Sequence, residues 1–140
     1  VKVTETPTDW SGTYLIVWGT EAHATVSNKD LVKTCDLTFD GNKVVATDEV
    51  KAASVVIAAF DSGYSIQLSD KKYLTIPASN ACGSNTNAVA FSIELAKEGV
   101  EISGEDSNKV KRYLLQNGEY YRMYKAIGSY VLPTLYKLED

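Results

Sequence analysis

A chain of 140 residues is one domain by length, long enough to bury a core without metal or disulfide staples. With 44% hydrophobic and 23% charged residues it falls outside the disordered class. Its net charge of −4 argues against nucleic acid as a partner, because phosphate recognition calls for a basic stripe, and no apolar run approaches the length of a membrane span.

Residues 1–9 read as a polar linker through Thr6, Pro7 and Thr8. The chain opens with neither an initiator methionine nor a signal-peptide n-region, so the reading is a mature product or a piece of a larger protein. Asp9 to Gly12 is a turn, and Thr13 to Trp18 follows as a strand of β-branched and aromatic residues. Ala22 to Val26 is a second strand, closed by the loop signal of residues 27–30. Leu31 to Phe39 alternates loosely. Asp40, Gly41 and Asn42 form a tight-turn signature, which predicts a hairpin over 37–45. Residues 47–60 are ambiguous: Asp48 and Glu49 suit a helix start, but Val55, Val56 and Ile57 favour a short irregular lead into a strand at 54–60.

Gly63 to Gln67 and Tyr73 to Ile76 are the clearest strand pair, followed by a Ser-, Asn- and Gly-rich loop at 77–87. Ala88 to Leu95 sets Ala90, Ser92 and Glu94 against Phe91, Ile93 and Leu95, the alternation of a half-buried strand. Short strands are expected at 100–103, 111–116, 120–125 and 130–138, with no long amphipathic helix anywhere.

Three opening strands match: Tyr14 to Ile16, Tyr64 to Ile66 and Val100 to Ile102, each after a turn containing glycine (Gly12, Gly63, Gly99). His23, Tyr73 and Tyr113 start the second strands, and the closing strands end at Phe60, Leu95 and Leu138. Period-two alternation puts Tyr14 and Ile16, Tyr64 and Ile66, and Val100 and Ile102 on equivalent inward faces. The expected fold is therefore all-β, with three pseudo-repeats of about four strands (residues 10–62, 63–98 and 99–140) closing a short barrel. An immunoglobulin-like β-sandwich is the alternative, since it too has many short strands with regular turns.

On these features, and on the entry Trp10 to Val17, the centre Lys72 to Leu74 and the finish Leu135 to Leu138, residues 10–138 resemble the β-trefoil. The nearer likeness is to ricin-type, lectin-like domains of secreted bacterial proteins. The chain carries no repeated Gln-x-Trp, and its first unit is longer than the others. The resemblance implies an extracellular or cell-surface module, monomeric in isolation, with a glycan or protein as ligand and no cofactor.

No catalytic constellation is legible. His23 is the one histidine and takes the place of tyrosines in the repeat, so it reads as an aromatic-sized strand residue. No metal motif is present, and Gly104 to Asn108 offers too few oxygens for calcium. The acidic residues there, and the basic spots Lys71, Lys72, Lys109, Lys111 and Arg112, read as solvated turns at strand ends. Between Cys35 and Cys82 a disulfide and two buried free thiols both remain open. The one concentrated feature is aromatic: alternation sets Tyr120, Arg122 and Tyr124 on one face and Tyr121, Met123 and Lys125 on the other. An exposed Tyr-Arg-Tyr face suits sugar stacking or a protein contact, because planar rings give contact area at little entropic cost and arginine adds directed donors. The functional expectation is a non-enzymatic binding module with Tyr120, Arg122 and Tyr124 as ligand-binding residues; the alternative is a structural or protein-interaction domain without a small ligand.

Overall fold

A computed structural model describes residues 1–138. In chain order the elements are β1 (Gly12–Trp18), β2 (Glu21–Ser27), β3 (Asp30–Asp36), β4 (Phe39–Asp40), β5 (Lys43–Val44), α1 (Asp48–Ala52), β6 (Val55–Phe60), β7 (Gly63–Gln67), β8 (Tyr73–Thr75), β9 (Gly83–Asn85), β10 (Ser92–Ala96), β11 (Gly99–Glu105), β12 (Lys111–Asn117), β13 (Tyr120–Tyr124) and β14 (Thr134–Leu138). The fold is all-β and antiparallel.

One large sheet runs β10-β11-β12-β13-β3-β2-β1-β6-β7-β8-β9, with β14 added on β1, and β4 and β5 form a small separate hairpin. Nearly all strands thus share one sheet, which is not the two-sheet division of an immunoglobulin-like sandwich. Traced by its continuous ladders the sheet is open, so those ladders alone do not make the closed barrel expected from the repeat. Among the described residues, β7 and the approach to β10 meet where Tyr64 and Phe91 exchange N–H···O=C bonds of 2.9 and 2.7 Å. Near the start of β11 the Val100 N–H donates to Pro133 O at 2.8 Å.

Of the inward positions of the repeat, Tyr14, Ile16, Ile66, Val100 and Ile102 are buried in the main core together with Trp10, Ile57 and Leu114, whereas Tyr64 is only half-buried against it. Burying each large aliphatic side chain is worth about 1.5–3 kcal/mol, which makes this cluster the main source of stability. Phe91 and Ile93 are buried while Ser92 and Glu94 stay exposed, as the alternation requires.

Alternation alone predicts one inward face for β1, but both of its faces are buried. Leu15 and Val17 pack with Ala22, Cys35, Leu37, Val44, Val50 and Ala53 in a second core. The extra length of the first unit supplies that cover: the β4–β5 hairpin and α1 lie over the outer face of β1. Residues 48–52 are helical rather than an irregular lead because Thr47 caps the turn, its Oγ1 accepting the Val50 N–H at 3.2 Å. Asp48 and Glu49 sit in that first turn, where the helix dipole favours acidic groups. Val50 and Ala53 then anchor the turn in the second core.

Two further expectations are corrected. The 77–87 loop contains a strand, β9, whose Asn85 pairs with Tyr73; its Ser and Asn side chains carry no strand signal, and pairing with β8 decides its conformation. Arg112 and Asp106, read as solvated, are buried. Arg112 Nε donates to Asp106 Oδ2 at 2.8 Å, and its Nη1 donates to Asn80 Oδ1 and Met123 O. Asp106 Oδ1 accepts the Asn108 and Val110 N–H groups, so the pair folds the loop between β11 and β12 onto itself. The hydrogen bond from Arg112, with those from Val110 and Asn108, holds the Asp106 carboxyl below the usual carboxylate range. Cys35 and Cys82 are free, buried and in different cores.

Candidate functional site

Residues 111–124 fold as a hairpin because Asn117 and Tyr120 pair across the two-residue turn of Gly118 and Glu119, with Gly118 at φ 65°. β13 also pairs with β3 at Tyr121 and Leu31, which sets the hairpin against the first unit. Tyr121 and Met123 are fully buried. The Tyr121 hydroxyl donates to Val17 O at 3.1 Å, and burial drives its pKa far upward. The Cys82 thiol donates to Tyr121 O, and burial pushes its pKa up to about 12, so it stays an inert thiol.

On the other face, Tyr120 and Arg122 are half-buried. Arg122 Nε donates to Asp30 Oδ1 at 2.6 Å, and this bond keeps the guanidinium charged more firmly than usual. The guanidinium also lies over the Tyr120 ring, 4.7 Å from its centroid, so one face of that ring is occupied by a cation. Asp30, the first residue of β3, thereby fixes Arg122, and Arg122 in turn backs Tyr120.

Tyr124 is placed differently. Its ring stacks on Tyr130 at 4.1 Å and 14°, its hydroxyl accepts from Asn117 Nδ2 at 3.0 Å, and it is only 6% exposed. Burial raises its pKa. The structure thus brings Tyr120 and Arg122 together at an accessible face and seals Tyr124 beneath Tyr130.

Beside Tyr120 lies a shallow cleft of about 380 Å³, lined by Glu21 of β2, Val32 and Lys33 of β3, and Glu119 and Tyr120 of the β12–β13 hairpin. Lys33 Nζ lies 2.8 Å from Asp36 and 3.9 Å from Glu21, and the Asp36 hydrogen bond raises its pKa. The cleft therefore offers an aromatic ring, carboxylates and an ammonium group within one small concavity. That set can stack on a flat apolar face and exchange hydrogen bonds with hydroxyls.

His23 sits behind Glu21. It is fully buried, edge-on to Tyr121 at 5.0 Å, with Nδ1 3.4 Å from Leu31 O and Nε2 3.7 Å from Glu21 Oε1. Desolvation lowers its pKa, which keeps the ring neutral and structural. No group of three or more His, Cys, Asp and Glu with a metal-holding arrangement occurs among the described residues.

Sequence reasoning found Tyr120 and Arg122 but missed Glu21, Val32, Lys33, Glu119 and Asp30 as their neighbours. Asp30 and Arg122 are 92 positions apart, and no local pattern links them. The register of the hairpin could have flagged Glu119, which immediately precedes Tyr120 in the turn. No protein-family model, curated protein or solved structure matches the chain.

Proposed function

We propose that the chain is a non-enzymatic binding module of a secreted or surface protein, built on the β-trefoil plan and taking a glycan at the Tyr120 cleft. The trefoil reading is supported by a circuit of six strands. β14 pairs with β1, β1 with β6, β6 with β7, and β10 with β11. The Tyr64–Phe91 and Val100–Pro133 hydrogen bonds span the two remaining seams. Each unit also carries a hairpin or strand pair outside that circuit: β2–β3, β8–β9 and β12–β13. A non-catalytic role agrees with a lone histidine that is sealed and neutral.

The observation that carries the glycan reading is the Tyr120 ring, held on one side by Arg122 and opening on a cleft edged by Glu21, Lys33 and Glu119. Sugars are recognised by this combination: apolar faces stack on aromatic rings, and hydroxyls bond to carboxylates and cations. Affinity electrophoresis in gels of different polysaccharides, followed by a glycan array, tests it. Tyr120→Ala is expected to weaken binding more than about tenfold, the loss typical of a central aromatic contact, with little change in melting temperature. Silence of the wild-type domain against every glycan, or an unaffected Tyr120→Ala, overturns the reading.

A second reading, a protein-interaction domain without a small ligand, rests on a different observation. Tyr130 and Val131 are 37% and 44% exposed on the neighbouring loop and offer apolar surface.

A further inference from the structure

Strand β10 ends the sheet order, with a ladder to β11 on one edge and none on the other among the described residues. On the paired edge, Ser92 to Ala96 match Ser103 to Gly99 of β11. Phe91 sends both its N–H and its C=O to Tyr64, so the backbone groups of Phe91 point away from β11. Strand alternation gives Ile93 and Leu95 the same direction. The Val100 N–H supports this register independently: it goes to Pro133, so Val100 and its partner Leu95 do not bond each other. Past Tyr64, however, the chain turns away through Asp61 and Ser62, and no described residue takes up the outward N–H and C=O groups of Ile93 and Leu95.

Two clefts are lined in part by β10. The larger, about 630 Å³, runs from the β6–β7 turn past Ser92, Ile93 and Glu94. The smaller, about 260 Å³, lies where the β10–β11 turn and Val100 face Val3, Thr4 and Thr134. The larger cleft is acidic: Asp61, Glu94 and Glu105 line it against one cation, Lys111. The smaller is mixed, with Lys2, Lys97 and Glu98.

We propose that this edge is a docking site for an extended peptide that adds to β10 as an antiparallel strand and carries lysine or arginine at alternate positions. Strand addition supplies the missing partners for Ile93 and Leu95, since a bare edge is a template for main-chain pairing. Alternation sets the side-chain pattern. Residues opposite Ile93 and Leu95 share their inward face and must be small or β-branched. Residues opposite Ser92 and Glu94 face outward, where a basic side chain meets Glu94 directly and Asp61 and Glu105 nearby. The backbone gives affinity, and the three carboxylates give the preference for a basic strand. This site is separate from the Tyr120 cleft and stands or falls independently of glycan binding.

The probe is the capped peptide Thr-Lys-Thr-Lys-Thr-Lys-Thr, titrated into the whole domain and followed by amide NMR and hydrogen exchange. Its controls are the same peptide with glutamate for lysine and with proline for the central threonine. The expected result is shifted and newly protected Ile93 and Leu95 amides with the lysine peptide, and much weaker binding of both controls. Glu94→Lys changes an exposed side chain and leaves the fold intact; it is expected to weaken the lysine peptide by about threefold to tenfold, the range for reversing one partly screened charge. Unperturbed Ile93 and Leu95 amides at saturating peptide overturn the proposal. So does equal binding of the acidic or the proline peptide, or a glycan occupying this cleft instead.

Discussion

β1 and β10 are both short antiparallel strands of the same sheet, yet β1 is enclosed and β10 is not. Thr13 to Val17 pair with Leu138 to Thr134 on one edge, while Gly12 to Tyr14 pair with Ile57 to Val55 and Val17 and Trp18 with Ala22 and Glu21 on the other. Both faces of β1 are buried, Tyr14 and Ile16 in the main core and Leu15 and Val17 in the second. β10 has a buried inward face, an exposed outward one at Ser92 and Glu94, and one unpaired edge. The difference follows from the insertions around each strand. The first unit spends its additional residues on the β4–β5 hairpin and α1, which cover β1. The second has no such cover, and its first strand meets its last at Tyr64 and Phe91. Enclosure concentrates stability at β1, and its absence leaves β10 available for recognition.

The largest expected effect breaks the enclosed side. Leu15→Ala removes a fully buried side chain from the second core and should cost about 2–5 kcal/mol in chemical denaturation. Leu95→Ala, at a half-buried position of β10, should cost distinctly less. Equal losses would mean that β1 is no better anchored than β10. Next in size is the cap that holds the cover in place: Thr47→Ala should cost about 1 kcal/mol, with serine at the same position recovering most of it.

The smallest effect is a pH dependence on the enclosed side. Burial lowers the pKa of His23 below its ordinary 6.5, so the unfolded chain binds the proton first as pH falls. Its contribution is therefore complete above 6.5 and is lost as pH drops from there through the lowered folded value. Melting temperature should decline from about pH 7 to about pH 5, where His is the side chain that titrates, and His23→Gln should flatten that decline. An unchanged slope in the variant would assign it to other groups.

Much of the strand pattern was legible because alternation and turn chemistry are local. The inward positions Ile66, Ile93 and Ile102 are all buried, and the turns at Gly41, at Asp61 and Ser62, and at Gly118 fall between paired strands. The five-residue helix was misread because its cap signal competes with the β-branched run that follows it, and only packing of Val50 and Ala53 decides between them. The candidate site was half legible: the face shared by Tyr120 and Arg122 is local, but the Tyr130 lid on Tyr124 and the Asp30 anchor of Arg122 are not.

Taken by itself, the sequence determined an all-β chain, the approximate strand positions and the inward residues of each, because a period of two is written into neighbouring residues. Tertiary structure decided which edges are paired, why β1 is buried on both faces, which basic residues are sealed and what surrounds Tyr120. Those outcomes depend on contacts between residues far apart in the chain, such as Asp30 with Arg122 and Tyr121 with Val17, and no short window of sequence contains both partners.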